Sequence, residues 1–222
     1  MTFLKEYNDF IEKEINAIDL PENPANLYNP LRYFLKLGGK RIRPALTLMA
    51  GKMFGVSVEK TKNAALAVEV FHNFTLIHDD IMDNAPLRRN QKTIHEEWNS
   101  NIAILAGDVL FVKSYELLGK NADKYLNDLF TIFSKTAREV CEGQQMDMDF
   151  ETRESVQEAD YIEMIRLKTS VLLGCALELG AILGDAKEED RKNMYEFGIH
   201  LGIAFQIQDD ILDLFGSPEK VG

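Results

Sequence analysis

The chain has 222 residues, with 25 Lys and Arg against 36 Asp and Glu, a formal net charge of −11 and 45% hydrophobic residues. At roughly 150 residues per domain that is one large domain or two small ones, long enough to bury a sizeable apolar core and too apolar to be disordered. Net acidity argues against non-specific binding to nucleic acid or to an anionic membrane surface.

Residues 2–18 read as a first helix, and Glu6, Asp9, Glu12 and Glu14 within it break the basic-then-apolar order of a secretory signal. Apolar recurrence at three and four residues predicts further helices over 28–37, 43–54, 59–83, 93–118, 122–150, 157–184 and 188–215. Prolines fall at 21, 24, 30, 44, 86 and 218, none lies between Leu87 and Ser217, and no β-branched alternation marks a strand. Pro44 suits a first helical turn, Gly119 and Gly184 can close helices, and Asn84-Ala85-Pro86 interrupts one. Long helices with short polar connections describe an all-α bundle packed as a single domain over residues 1–222, without a linker or tandem repeat. The longest apolar stretch, Val171 to Gly184, is interrupted by Glu178 and is short of a membrane span, so the protein is expected to be soluble and cytoplasmic. Cys141 and Cys175 lack CxxC spacing and read as reduced packing residues.

A short recurrence carries the chemistry. Ile77-His78-Asp79-Asp80-Ile81-Met82-Asp83 and Ile207-Gln208-Asp209-Asp210-Ile211-Leu212-Asp213 agree at five of seven positions, although 130 residues separate them. On a helix the first and last Asp of each motif are i and i+4, which puts two carboxylates on one face about 6 Å apart along the axis. Like charges at a helix C-terminus are unfavourable by a few tenths of a kcal/mol up to about 1, so a cation should offset them. A hard divalent ion fits, because Mg²⁺ takes oxygen ligands from one or two carboxylates and completes its shell with substrate phosphates. One such cluster alone would read as a solvated helix end. Two copies inside the same apolar frame favour paired metal sites.

A diphosphate bridging such ions needs cationic partners. Gly38-Gly39-Lys40-Arg41-Ile42-Arg43-Pro44 places two glycines before three basic residues at a helix start, a setting suited to close backbone approach and anion capture. Arg88-Arg89 follows the first motif across the Asn84-Ala85-Pro86 break. Either cluster alone would read as a wet surface patch; their placement beside the aspartates raises the functional reading. GxxxxGK[ST], GxSxG and HExxH are absent, and His72, His78, His95 and His200 lack zinc-ligand spacing.

From Gly39 to the last residue the chain resembles the trans-isoprenyl diphosphate synthases (polyprenyl synthetases), the family of farnesyl and geranylgeranyl diphosphate synthases. The resemblance rests on Gly39-Lys40-Arg41-Ile42-Arg43-Pro44, Asp79-Asp80-Ile81-Met82-Asp83, Arg88-Arg89, Gly143-Gln144-Gln145-Met146-Asp147, Lys168-Thr169 and Phe205-Gln206-Ile207-Gln208-Asp209-Asp210-Ile211-Leu212-Asp213. It implies a bundle of antiparallel helices around a deep central cavity, a homodimer, and head-to-tail condensation of an allylic diphosphate with isopentenyl diphosphate. By the resemblance, Asp79, Asp83, Asp147 and Asp209 are metal ligands for Mg²⁺, about three ions per active site, and Asp80, Asp210 and Asp213 support that shell. The ions would neutralise charge on the departing diphosphate, and the cavity would keep water from the allylic cation. Arg88 and Lys168 would hold the allylic diphosphate, and Lys40, Arg43, His72 and Arg89 the isopentenyl diphosphate. Gln144, Thr169, Phe205 and Gln206 match further cavity positions. For Gln144 and Thr169 a helix-bridging role stays open, and for His72 a packing role.

Phe71, Phe74 and Leu76, upstream of Asp79, are candidate cavity lining or plain core. By resemblance, bulk at Phe74 or Thr75 sets product length, and an aromatic at 74 matches short-chain synthases of the farnesyl to geranylgeranyl type. On an ideal helix Phe74 is about 140° and Thr75 about 40° round from Asp79, so the stopper role comes from the family alone. The family pattern continues past the segment Phe215 to Gly222 with a lysine for the allylic diphosphate and more helices, so the chain is expected to be truncated at its C-terminus. A non-catalytic regulatory subunit and a class I terpene cyclase are the alternatives; intact motifs argue against the first, and GGKRIRP with a second DDxxD against the second.

Overall fold

Pro24 is extended (φ −66°, ψ 129°) and precedes α2 (Ala25–Leu35), so this helix starts three residues before the predicted position and carries Pro30 inside it. A proline there donates no hydrogen bond to the preceding turn, yet buried Leu31, Phe34 and Leu35 hold the helix against its neighbours. The structure, a computed structural model, describes residues 2–215; the side chains of Thr2, Phe3 and Asp213 lie outside the described ones. The segment 216–222 and the side-chain role expected of Asp213 therefore fall outside the description.

The chain is all-α apart from one small hairpin. The other helices are α1 (Thr2–Asn16), α3 (Ile42–Met53), α4 (Val58–Met82), α5 (Ile94–Glu97), α6 (Ser100–Leu118), α7 (Asp123–Phe150), α8 (Glu158–Ile165), α9 (Val171–Leu183) and α10 (Glu188–Phe215). Contacts gather into two units, one of residues up to 45 with 62–121, the other of 46–61 with 122 onwards. No helix among the described residues is long and apolar enough to cross a membrane.

In the first unit the core is built on Ile11, Ile15, Leu31, Phe34, Phe71, Ile77, Leu110 and Leu118, all under 2% exposed. Arg41 is buried with them: its Nε donates to Glu12 Oε1 at 2.7 Å and its Nη1 to Glu69 Oε1 at 2.5 Å. Burial alone would lower the Arg41 pKa, but the hydrogen bond it donates to Glu12 and the charge of Glu69 outweigh that and raise the guanidinium above its ordinary value. This ion triad ties α1 and α4 to the loop between α2 and α3, and removing one member of such a buried group costs about 3–5 kcal/mol.

In the second unit α9 is buried all round, with only Glu178 partly open, as an apolar helix at the centre of a bundle must be. Neighbouring backbones come close at its glycines: a Cβ on Gly180 would stand 2.4 Å from the Thr47 carbonyl, and one on Gly198 of α10 would stand 2.5 Å from Gly174 Cα.

Three local features depart from the predicted elements. The stretch 93–118 is not one helix: Trp98 leaves helical geometry (φ −117°, ψ −89°), and Asn99 restarts it as α6 by accepting the Ile102 N–H on Oδ1 at 2.9 Å. Between α4 and α5 lies an antiparallel hairpin, β1 (Leu87–Arg88) and β2 (Gln91–Lys92). Its two-residue turn, Arg89-Asn90, has φ of +53° and +61°, the primed geometry that matches strand twist. The predicted 157–184 helix is continuous but unwinds into a wider π-helical turn at Arg166–Ser170, between α8 and α9.

Candidate active site

The first aspartate motif closes α4 as a Schellman cap. Asn84 takes the left-handed conformation (φ +50°), its N–H reaches the Ile81 carbonyl and the Ala85 N–H reaches the Asp80 carbonyl at 2.9 Å, so the chain turns off the helix where the sequence anticipated a break. The hairpin then folds back and returns Arg88 to the motif. Its Nε donates to Asp80 Oδ1 at 2.7 Å, and its Nη2 lies 3.7 Å from Asp79 Oδ2.

The adjacent aspartates separate in environment. Asp80 is 1% exposed, and burial pushes its carboxyl pKa up against the lowering charge of Arg88. Its second oxygen, Oδ2, is buried and meets no hydrogen-bond donor among the described residues. Asp79 is partly open and Asp83, one turn on, is exposed; the Asp83 N–H bonds the Asp79 carbonyl at 2.9 Å, which keeps the two in helical register. These donors are all hard carboxylate oxygens, and one is a buried acceptor lacking a donor, so the residues fit a hard divalent cation. Among the described residues, no group of three His, Cys, Asp or Glu is placed to hold a metal ion by itself.

Further basic groups gather around His72, two helical turns before this motif. Gly38 (φ +75°) and Gly39 (φ +157°) bend the loop before α3, and a Cβ at Gly39 would fall 2.9 Å from Arg89 Nη2, so only glycine lets that guanidinium pack there. Arg43 Nη1 lies 3.2 Å from His72 Nε2. Burial, then the charges of Arg43, Arg89, Arg88 and Arg41, hold the imidazole well below its ordinary 6.5, so it is neutral. With Nε2 accepting from Arg43, the proton is assigned to Nδ1. Lys40 is exposed at the loop surface, where its carbonyl accepts from Asn8. Of the three basic residues in Lys40-Arg41-Ile42-Arg43, then, Arg41 serves the core instead of this cluster.

Phe74 packs in an aromatic group with Phe71 of α4 and Phe111 of α6 at ring separations of 5.5 and 5.1 Å, and lies edge-on to His78 at 4.8 Å. His78 Nε2 bonds the Ile104 carbonyl at 3.1 Å across Gly107, where any Cβ would collide with the ring. Thr75 turns its hydroxyl back onto the His72 carbonyl at 2.8 Å.

In the second unit one cavity of about 790 Å³ is lined by Asp147, Lys168, Thr169, Gln206 and Asp210, all singled out in the sequence, together with Tyr161 and the apolar Phe150, Met164 and Ile165. Lys168 and Thr169 sit on the π turn, a feature frequent at functional sites. Gly143 of α7 permits it: a Cβ there would be 2.2 Å from the Lys168 nitrogen. Lys168 Nζ donates to Asp147 Oδ2 at 2.5 Å. Thr169 Oγ1 donates to Gln206 Oε1 at 3.0 Å, Gln206 Nε2 donates to Asp210 Oδ1 at 2.8 Å, and the Tyr161 hydroxyl donates to Asp210 Oδ2. Burial, then the Asp210 carboxylate, push the Tyr161 phenol up to about 12, so it keeps its proton. Asp209 and Phe205 are partly open on α10, and the Gln144 amide nitrogen is buried without a hydrogen-bond acceptor among the described residues. Sequence reasoning missed Tyr161, although its position two helical turns ahead of Lys168 puts both on one face of the helix.

A family model described as polyprenyl synthetase matches residues 24–222. The chain belongs to the polyprenyl synthetase family. It is 42% identical to a geranylgeranyl diphosphate synthase of Methanosarcina mazei over 99% of its own length and 68% of that protein. It is also 42% identical to a short chain isoprenyl diphosphate synthase of Methanocaldococcus jannaschii, over 100% of the chain and 67% of the relative. A crystal structure of a geranylgeranyl pyrophosphate synthase, 50% identical, superposes with a TM-score of 0.95 over 99% of this chain and 67% of that one. As a polyprenyl synthetase, the chain thus spans about two thirds of the length of these relatives.

Proposed function

We propose that the protein is a short-chain all-trans prenyl diphosphate synthase, a prenyltransferase that joins isopentenyl diphosphate to an allylic diphosphate. The observation that carries this reading is the gathering of Arg43, Arg88 and Arg89 around neutral His72, two helical turns before Asp79, with Arg88 reaching Asp79 itself, in a chain of net charge −11. Such a site takes an anion together with its cation and has little use for either alone. Names of the relatives support a synthase, and a regulatory subunit or a cyclase is not favoured.

In this reading Arg43, Arg89, Lys40 and the Nδ1–H of His72 hold the isopentenyl diphosphate. By the family resemblance, Arg88 and Lys168 would hold the allylic diphosphate. Asp79, Asp83, Asp147 and Asp209 are the ligands for Mg²⁺, about three ions by family likeness, with Asp80, Asp210 and Asp213 in support. Bound magnesium supplies neutralisation of the leaving diphosphate's charge. The aromatic group of Phe71, Phe74 and Phe111 would supply the apolar surroundings that keep water from the carbon that loses that diphosphate. Phe74, with Thr75 beside it, is read as the limit on chain length. Residues 1–222 are taken as one catalytic domain acting as a homodimer. Exposed Leu105 and Val112 on α6, seven residues apart and 57% exposed each, with Ile104 beside them at 43%, support the homodimer as an apolar face.

Incubation of the full-length protein with isopentenyl diphosphate, C5, C10 or C15 allylic diphosphates and Mg²⁺, followed by sizing of the products, tests the proposal. The expected result is elongation that stops at farnesyl to geranylgeranyl length, ceases with chelator and returns with Mg²⁺. No elongation from any starter would overturn it.

A further inference from the structure

Asp210 is gripped at both oxygens. The Tyr161 hydroxyl, from α8, donates to Oδ2, and Gln206 Nε2, one turn back on α10, donates to Oδ1 at 2.8 Å. Gln206 is oriented in turn by Thr169 Oγ1 at 3.0 Å, from the π turn. The grip matters because the terminal torsion of an aspartate is broad and weakly restrained, so a carboxylate at the mouth of a cavity otherwise samples many orientations. Two donors on opposite oxygens fix that torsion, yet occupy only two of about four lone-pair positions and leave the others for a cation.

The two donors differ in what they depend on. Gln206 shares a helix with Asp210, so its amide would follow any movement of α10. Tyr161 stands on a different element, α8, and lines the cavity together with Met164, Ile165 and Phe150. It therefore fixes the carboxylate relative to the wall that carries Lys168 and Thr169. A phenylalanine would fill the same space and leave Oδ2 without its donor. A hydrogen bond to an ionised carboxylate is roughly twice as strong as a neutral one, so the hydroxyl has an effect large enough to measure.

We infer that Tyr161 is a positioning residue of the second aspartate motif, which acts through Asp210 to set the affinity of that motif for the divalent cation of a metal–diphosphate substrate. The inference rests on the synthase reading above and adds to it a residue outside both aspartate motifs.

The test uses Tyr161→Phe in the full-length enzyme. The Mg²⁺ concentration for half-maximal elongation should rise about tenfold, the size expected for losing one charge-assisted hydrogen bond, while kcat at saturating Mg²⁺ falls less than about threefold and the KM for isopentenyl diphosphate is unchanged. A readout without turnover follows thermal unfolding in inorganic diphosphate as Mg²⁺ is added, and the Mg²⁺ needed to raise the midpoint should shift by the same factor. In an Asp210→Ala background, Tyr161→Phe should change neither titration further, since its route of action is gone. Coincident Mg²⁺ titrations for wild type and Tyr161→Phe, or an equal added shift in the Asp210→Ala background, would overturn the inference while leaving the synthase reading in place. A wild-type protein that elongates nothing at any Mg²⁺ concentration would overturn the synthase reading and this one with it.

Discussion

Arg41 and Arg43 stand two residues apart in one basic run, yet one locks the core and the other meets His72. The difference lies in the backbone: Arg41 is left-handed (φ +47°) after two glycines, which turns its side chain onto Glu12 and Glu69, while Arg43 lies in the first turn of α3 and reaches His72. Spacing marks the run as basic, but sorting its members needs the partners, which come from α1 and α4. His72 is the residue whose setting has a pH consequence. Its folded pKa is held well below 6.5 by burial and by four guanidinium charges, so above pH 6.5 it is neutral in both folded and unfolded chains. As pH falls below 6.5 the unfolded chain takes up the proton and the folded one does not. Stability is therefore full above 6.5 and declines towards acid, at up to about 1.4 kcal/mol per pH unit from this group. His72→Asn should flatten the fall of the unfolding midpoint between about pH 7 and pH 5; a profile as steep as wild type would count against the buried neutral imidazole.

The long helices were legible because their apolar recurrence is sustained and their ends carry proline, glycine or asparagine; Pro86 and Gly184 fall where the sequence put breaks. The hairpin at 87–92 was not, since two residues per strand are too few to show alternation, and its turn uses arginine where glycine is the usual signal. The π turn was hidden for a different reason: it changes the hydrogen-bond step without changing the apolar pattern around it. Its sequence mark is instead Gly143 on the facing helix, which the family motif carries and which the structure explains. Gly143→Ala would drive a methyl into the Lys168 backbone, so it should destabilise the fold by about 1–3 kcal/mol and misplace Lys168 and Thr169 as well. Thermal unfolding and elongation rate of this variant check both effects. A variant of wild-type stability and rate would mean the π turn has room to spare.

For the molecule as a whole, the order of its motifs along 222 residues was more telling than any one of them. An acidic chain that nevertheless brings arginines to aspartates, and repeats those aspartates within a second apolar frame, has the charge pattern on which the proposed synthase reading rests. Asp79, Asp147, Arg88 and Lys168 were all readable as candidates, but the ion pairs Arg88–Asp79 and Lys168–Asp147 were not, because each depends on how a hairpin or a neighbouring helix folds back. The claim on which the account depends is that both aspartate motifs act in turnover. One elongation assay at saturating Mg²⁺, comparing wild type with Asp79→Ala and with Asp209→Ala, addresses it most directly. Each variant should keep its helical content and lose at least ~10³ in rate, or about 4 kcal/mol of barrier lowering. Near-normal elongation by either variant would contradict the account.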